Sequence, residues 1–365
     1  MSQWSLGQQA AASWLFIRRG KTGLAPTLPS VYCLFHMKFS LHSVHGGIKS
    51  IDEVHRRAER AEELGYDGIF LGESHLSSID SFQTLASCAM ITKRVLLGIA
   101  VTNMVFRHPT VLAGAAASLN EISKGRAILG LGTGDGPVYS QGLRATPIKQ
   151  FEKGVRIIRE LVQGKAIQFP TGKVGIGFNL RPTPIYVSAE GPKGLQLAGR
   201  SADGVILGTG FDLRVHGWAK QKIREGAAET GRKESDVAVI AAGMLCVRED
   251  GNEARKIVRN RIANRAHHNF RFTFETVPPK ELAGVKRFMD GFDVMKPMEE
   301  RVGADLVNDY LVHRFSIAGT PKDCIERIEE LNAAGVEHLM LTPARKVYGE
   351  TVDLFAAKVM PHFKK

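Results

Sequence analysis

Four stretches of this chain repeat one order of residue types, and that repetition constrains the fold more than any other feature. AERAEELGYDGIFLGESH (58–75), SLNEISKGRAILGLGTGD (118–135), LQLAGRSADGVILGTG (195–210) and IEELNAAGVEHLMLTP (328–343) each run helix-like, turn near a glycine, continue as a short apolar strand and stop at glycines and polar residues. Repetition of such a unit belongs to folds in which strands and helices alternate. Along the chain the apolar runs predict strands at 38–42, 68–71, 95–101, 127–131, 184–187, 204–207, 237–247 and 338–341, with helical stretches between them. Eight such strands predict a parallel (β/α)8 TIM barrel; an open doubly wound sheet is the alternative, and no GxGxxG follows the first strand to support it. In a barrel, chemistry sits at the C-terminal strand ends, so the polar residues closing each apolar run are the candidate site.

Composition narrows the function classes. The net charge of +12 favours anionic ligands. The cations are interleaved with acids, as in EVHRRAERAEE (53–63), which is the pattern of solvated helix faces and not of a nucleic-acid surface. No apolar run approaches the roughly 18–20 residues of a membrane span. Cys33, Cys88, Cys246 and Cys324 lie far apart with no CxxC, so no zinc site or disulfide framework is expected, and the setting is read as reduced and cytoplasmic. Residues 1–36 hold no period and read as a disordered or loosely packed N-terminal extension before a barrel domain at 37–365. The aromatic-rich stretch 267–313 breaks the repeat and reads as an inserted helical lid before strand eight.

Three strand tips carry candidate chemistry. After strand four, Gly132, Thr133, Gly134 and Asp135 form either a plain glycine turn or a cradle where a planar or anionic ligand approaches the backbone. After strand five, Ser188, Ala189, Glu190, Gly191, Pro192 and Lys193 lead into a helix whose first amides and lysine make an anion seat. After strand two, Glu73, Ser74 and His75 cluster, and an imidazole titrates near neutrality. Asn103, past strand three, is placed to hydrogen-bond a ligand; Arg107 and His108 anchor the loop before Pro109, and His42 ends strand one facing the same mouth. His267 and His268 are adjacent on a helix and point apart, and no HExxH or similar metal spacing occurs.

Taken in order, the blocks LGYDGIFLGESH, LGIAVTN…RHPTV, EISKGRAILGLGTGD, SAEGPKGLQLAGRSADGVILG and AGTPKDCIERIEELNAAGVEHLML resemble the bacterial luciferase-like flavin-dependent oxidoreductases, in the branch similar to methylenetetrahydromethanopterin reductase. The resemblance implies a flavin or deazaflavin ring at the strand C-terminal mouth, a non-prolyl cis peptide at Ala100–Val101 behind it, and SAEGPK as the phosphate loop. It also implies that Asp135 and His75 are the catalytic candidates, with Ser74 beside the cofactor. Where many deazaflavin-using members carry Asp-His, this chain has Ser74-His75. The expected activity is a monooxygenase using reduced FMN, supplied by a separate flavin reductase, and oxygen on a small organic substrate. The alternatives are a deazaflavin (coenzyme F420) reductase or dehydrogenase, and a non-catalytic flavin-binding barrel. The resemblance also implies a homodimer.

Overall fold

Strands that are buried on both faces need helices on both flanks of the chain between them, and that is how this sequence builds its sheet. Gly68–Leu71 (β2), Ala127–Gly132 (β4) and Gly204–Leu207 (β6) are buried at every position. A computed structural model describes residues 37–44, 48, 50–178, 181–293, 296 and 300–364. The expected extension at 1–36, with Cys33, lies outside these residues.

Lys38–His42 (β1), β2, Leu96–Asn103 (β3), β4, Ile185–Ala189 (β5), β6, Ala238–Val247 (β7) and His338–Pro343 (β8) pair in parallel, each with the next. The ring closes where β8 pairs with β1, from Lys38 opposite His338 to Leu41 opposite Leu341. This is the expected (β/α)8 barrel. Besides β8, the long β7 has two further neighbours: its first residues pair with β6, and Met244–Val247 pairs with a short ninth strand, Ser316–Gly319. The eight runs read from the sequence do not include that ninth strand, nor the small antiparallel hairpin of Ile167–Phe169 and Gly172–Val174.

The barrel interior is filled by Phe70, Ile128, Ile206, Ile240 and Met340. Glycines opposite the large rings make this possible: a Cβ on Gly98 would lie 2.1 Å from the Phe70 ring, and one on Gly204 would lie 2.4 Å from Tyr186. The helices around the ring are Ile51–Glu63 (α1), Ser81–Ile91 (α2), Pro109–Ile122 (α3), Ile148–Val162 (α4), Pro192–Ser201 (α5), Leu213–Ala228 (α6) and Gly251–Thr273 (α7), followed by Leu282–Asp290 (α8), Asp309–Phe315 (α9), Pro321–Ala333 (α10) and Tyr348–Lys358 (α11). Ser50 and Glu53 have the spacing of a capping box, but none forms; Glu53 instead accepts from Arg57, one turn on, at 2.7 Å. Thr320 and Asp323 do form one at the start of α10.

The lid expected from residue 267 does not begin with a break in the chain: RIANRAHHNFRFT (261–273) contains no Gly or Pro and α7 runs on to Thr273. Its last turns, with α8 and α9, form a separate apolar cluster around Phe270, Phe288, Leu311 and Phe315. Cys88, Cys246 and Cys324 are buried free thiols, and burial pushes those of Cys88 and Cys324 up to about 12. Among the described residues, no helix is long and apolar enough to cross a membrane.

Candidate functional site

At the C-terminal ends of the strands lies a cavity of about 910 Å3. Its floor is set by β1, β3 and β8. The Ala100–Val101 peptide is cis, and the register of β3 against β4 shifts between Ile99 and Thr102, so a bulge pushes into the cavity. His42 Nε2–H donates to the Ala100 carbonyl at 2.8 Å. The Thr342 and Ser43 hydroxyls both stand 3.0 Å from the ring's other nitrogen, Nδ1. The bulge also explains Gly132: a Cβ there would lie 2.9 Å from Val101 Cγ2.

Gly132, Thr133, Gly134 and Asp135 form one wall and Ser188 to Lys193 the next. Gly134 holds φ 113°, a backbone that side-chain-bearing residues rarely adopt. In α5 the first helical hydrogen bond runs from Leu195 N to the Gly191 carbonyl at 3.1 Å, which leaves the amides of Lys193 and Gly194 ahead of it without helical partners. The loops after β4 and β5 therefore share one cavity. Ala100, Val101 and Asn103 line it too, although the Asn103 side-chain oxygen is engaged by the amides of Val105 and Phe106 at 3.0 and 3.2 Å.

Ser74 and His75 are placed differently. Neither lines the cavity. The His75 ring packs edge-on against Phe106, 4.4 Å between centroids, and its Nε2 lies 3.1 Å from Gln141 Nε2. The strand-two residue that does reach the cavity is Glu73, whose side chain is only 2% exposed. It accepts from Arg107 Nε at 2.7 Å and from the Thr102 hydroxyl, and Arg107 also pairs with Asp80. Burial lowers the Arg107 pKa, but the bonds to Glu73 and Asp80 outweigh it and leave it raised.

The roof was not legible at the strand tips because it comes from α7. Arg261, Asn264, Arg265, His268, Arg271 and Phe272 fall at helical spacing and all line the cavity. His268 stands between two acids, its Nδ1 3.5 Å from Asp135 and its Nε2 3.7 Å from Glu190. Arg271 donates to His268 Nδ1. Glu190, 8% exposed, accepts from Arg265 at 2.5 Å and from Asn269 at 3.2 Å. Asn269 and Thr273 in turn each accept from the fully buried Arg314 at 2.8 Å, so the roof is tied to both the β5 tip and α9. His267, by contrast, stacks on Phe292 at 4.1 Å. Among the described residues no cluster of His, Cys, Asp and Glu could hold a metal ion.

With this geometry in view, the comparison with known families is decisive. Residues 31–338 match the model of the luciferase-like monooxygenase family. The chain belongs to that family. A 5,10-methylenetetrahydromethanopterin reductase from Archaeoglobus fulgidus is 31% identical over 325 residues, covering 83% of this chain and 93% of that protein. An F420-dependent glucose-6-phosphate dehydrogenase from Intrasporangium calvum is 27% identical over 328 residues, covering 83% and 92%. Among solved structures, the coenzyme F420-dependent tetrahydromethanopterin reductase of Methanopyrus kandleri superposes with a TM-score of 0.70 at 23% identity, over 90% of this chain and all of that one. This luciferase-like chain is thus an oxidoreductase of the family's barrel type, with the cavity at its strand ends as the candidate active site.

Proposed function

We propose that this protein is a deazaflavin-dependent reductase or dehydrogenase that moves hydride between coenzyme F420 and a small organic substrate, in preference to the oxygen-using FMN reaction expected from sequence. The observation that carries this reading is the pair of relatives, a methylenetetrahydromethanopterin reductase and an F420-dependent dehydrogenase, aligned over more than nine-tenths of their lengths. The cavity fits a ligand of this kind. Its volume of about 910 Å3 suits a ring system with a tail, and the glycine at 132 leaves room where the bulge enters.

When bound, F420 supplies a ring carbon that carries hydride. The protein's part is to hold that ring and manage protons. The Ala100–Val101 bulge, its carbonyl held by His42, would back the ring, and Gly132, Thr133 and Gly134 would hold it through their backbone. The amides at the start of α5, with Lys193, would hold the phosphate, helped by the positive end of the helix. Asp135 and His268, 3.5 Å apart at the rim, are placed to give or take a proton on the substrate. Ser74 and His75 would join them only if the Gln141 side chain moved away from the His75 ring.

Anaerobic titration with F420 and with FMN tests the reading. F420 should bind at least tenfold tighter than FMN, and turnover with reduced F420 should be indifferent to oxygen. Tighter FMN binding, with oxygen consumed in step with substrate, would instead make the protein a two-component monooxygenase. Binding of either without any turnover would return it to the non-catalytic barrel.

A further inference from the structure

The buried carboxylate of Glu190 can accept more hydrogen bonds than the contacts that brace it use. A carboxylate offers about four lone-pair sites. Arg265 takes one on Oε1 at 2.5 Å, and Asn269 takes one on Oε2 at 3.2 Å. His268 Nε2 stands 3.7 Å from that same Oε2. Room for the group comes from β6. A Cβ on Gly208, the first residue past that strand, would lie 2.2 Å from Glu190 Oε1 and 2.7 Å from Arg265 Nη1. The β5 tip, the β6 tip and α7 thus converge on one carboxylate beside one imidazole.

The other ring nitrogen settles where the imidazole carries its hydrogen. Arg271 donates to His268 Nδ1, and a guanidinium has no acceptor to offer. Nδ1 therefore holds a lone pair, and the hydrogen is on Nε2, the nitrogen facing Glu190. Nδ1 is the nitrogen beside Asp135, 3.5 Å away. The Glu190 side chain is only 8% exposed, whereas that of Asp135 is 59% exposed and Arg271 is exposed too. The inner neighbour is fixed, and the outer ones are free to move. A base whose far nitrogen faces a buried carboxylate is held in one tautomer and steadied when its near nitrogen gains charge. We propose that Glu190 is a positioning residue for His268: it keeps Nε2–H turned inward, and so presents Nδ1 as the nitrogen that exchanges a proton with the substrate. The proposal rests on reading the cavity as the reaction site. The step is a proton transfer alone. An N–H bond forms at Nδ1 as the substrate's O–H or N–H bond breaks, and both electrons of that bond stay on the substrate. Arg271 turns away, because a protonated nitrogen cannot accept from it. The positive charge then lies between Glu190 and Asp135, and the proton passes to water through the exposed Asp135.

The test reads the protonated nitrogen directly, by imidazole nitrogen NMR of cofactor-free, full-length protein carrying isotope-labelled histidine, at a pH where the rings are neutral. H268N assigns the signal. The wild type should carry the hydrogen on Nε2. R271A removes the donor at Nδ1 and should leave the hydrogen where it is, because Glu190 still faces it. R271A/E190Q should lower the ratio of Nε2–H to Nδ1–H at least about fivefold, since Asp135 then competes for the hydrogen with no acid opposite. R271A/G208A should do the same with the carboxylate still present, because the atoms nearest the added methyl are side-chain ends and not backbone. Unchanged signals from the buried His216 and His338 show that a variant is folded. The proposal falls if R271A alone moves the hydrogen to Nδ1, or if folded R271A/E190Q keeps it on Nε2; should that variant not fold, R271A/G208A decides in its place. In turnover with reduced F420, E190Q/H268N should be within about twofold of H268N, and a further tenfold loss would mean that Glu190 acts apart from His268. The NMR experiment needs no cofactor. If neither F420 nor FMN binds, the proposed function fails by itself, and the tautomer still decides the role of Glu190.

Discussion

At the β2 and β5 tips arginines are held by buried acids, whereas Arg345, past the end of β8, and Arg301 are not. At the β2 and β5 tips Arg107 pairs with Glu73 and Asp80, and Arg265 with Glu190. At the β8 tip Arg345 and Arg301 bond to no described carboxylate. The difference separates two jobs. Paired charges fix the shape of a wall: Glu73 ties the strand-two tip to the loop after β3, and Glu190 ties the β5 tip to α7. Arg301 braces its rim through neutral groups instead, the Asn264 side chain at 2.7 Å and the Lys296 carbonyl at 3.1 Å, and Arg345 bonds to no described carboxylate.

If that division holds, acid pH should attack neither side of the mouth first. His338 enters β8 at the opposite end of the barrel, bonded to Ser40 at 2.7 Å, and His216 lies buried in α6. Burial pulls both down to about 4 from an ordinary 6.5. The folded state keeps them neutral while the unfolded chain takes up protons below 6.5. Stability is therefore complete above pH 6.5, falls as pH drops from 6.5 to 4, and levels below that. Each histidine contributes up to about 3 kcal/mol to the loss. Urea denaturation across this range should show the slope flattened in H338Q and unchanged in R345Q. The comparison breaks if the arginine variant carries the slope.

The next effect in size belongs to the paired side. E73A removes a nearly inaccessible carboxylate that receives Arg107 and Thr102. It should cost about 2–3 kcal/mol in urea denaturation at neutral pH. Kinetics sharpen the same side further. With Asp135 still present, H268N should slow hydride transfer from reduced F420 by about tenfold, whereas H75N should leave it within about twofold. A larger loss in H75N would mean that the strand-two tip swings into the cavity when ligands bind.

Much of this layout was legible before any coordinates. The β2, β4, β6 and β8 units could be read because a fully buried strand is a continuous apolar run that stops where water begins, and loops four and five follow from that stop. What the tips do not reveal is which way a side chain turns. Glu73 and His75 are two residues apart at one tip, yet the acid faces the cavity and the imidazole packs on Phe106. The roof was missed for a different reason. Arg261, Arg265 and His268 repeat at helical spacing, but sequence alone does not say that this face of α7 turns toward the mouth. The short strand at Ser316–Gly319 was hidden because its partner is the second half of a strand already assigned to the ring.

The smallest expected effect is the most telling. R345Q deletes an exposed charge just past the C-terminal end of β8, where a substitution would cost stability only through a lost pair. Here there is no pair to lose, the side chain is partly in water, and two like charges are relieved. Its unfolding free energy should stay within about 0.5 kcal/mol of wild type. That near-silence separates the two sides, because E73A damages the fold whereas R345Q removes no bond to a described carboxylate. A clear destabilisation of R345Q at low salt would mean that Arg345 has a structural partner after all, and the β8 rim would then be another braced wall like the one across the cavity.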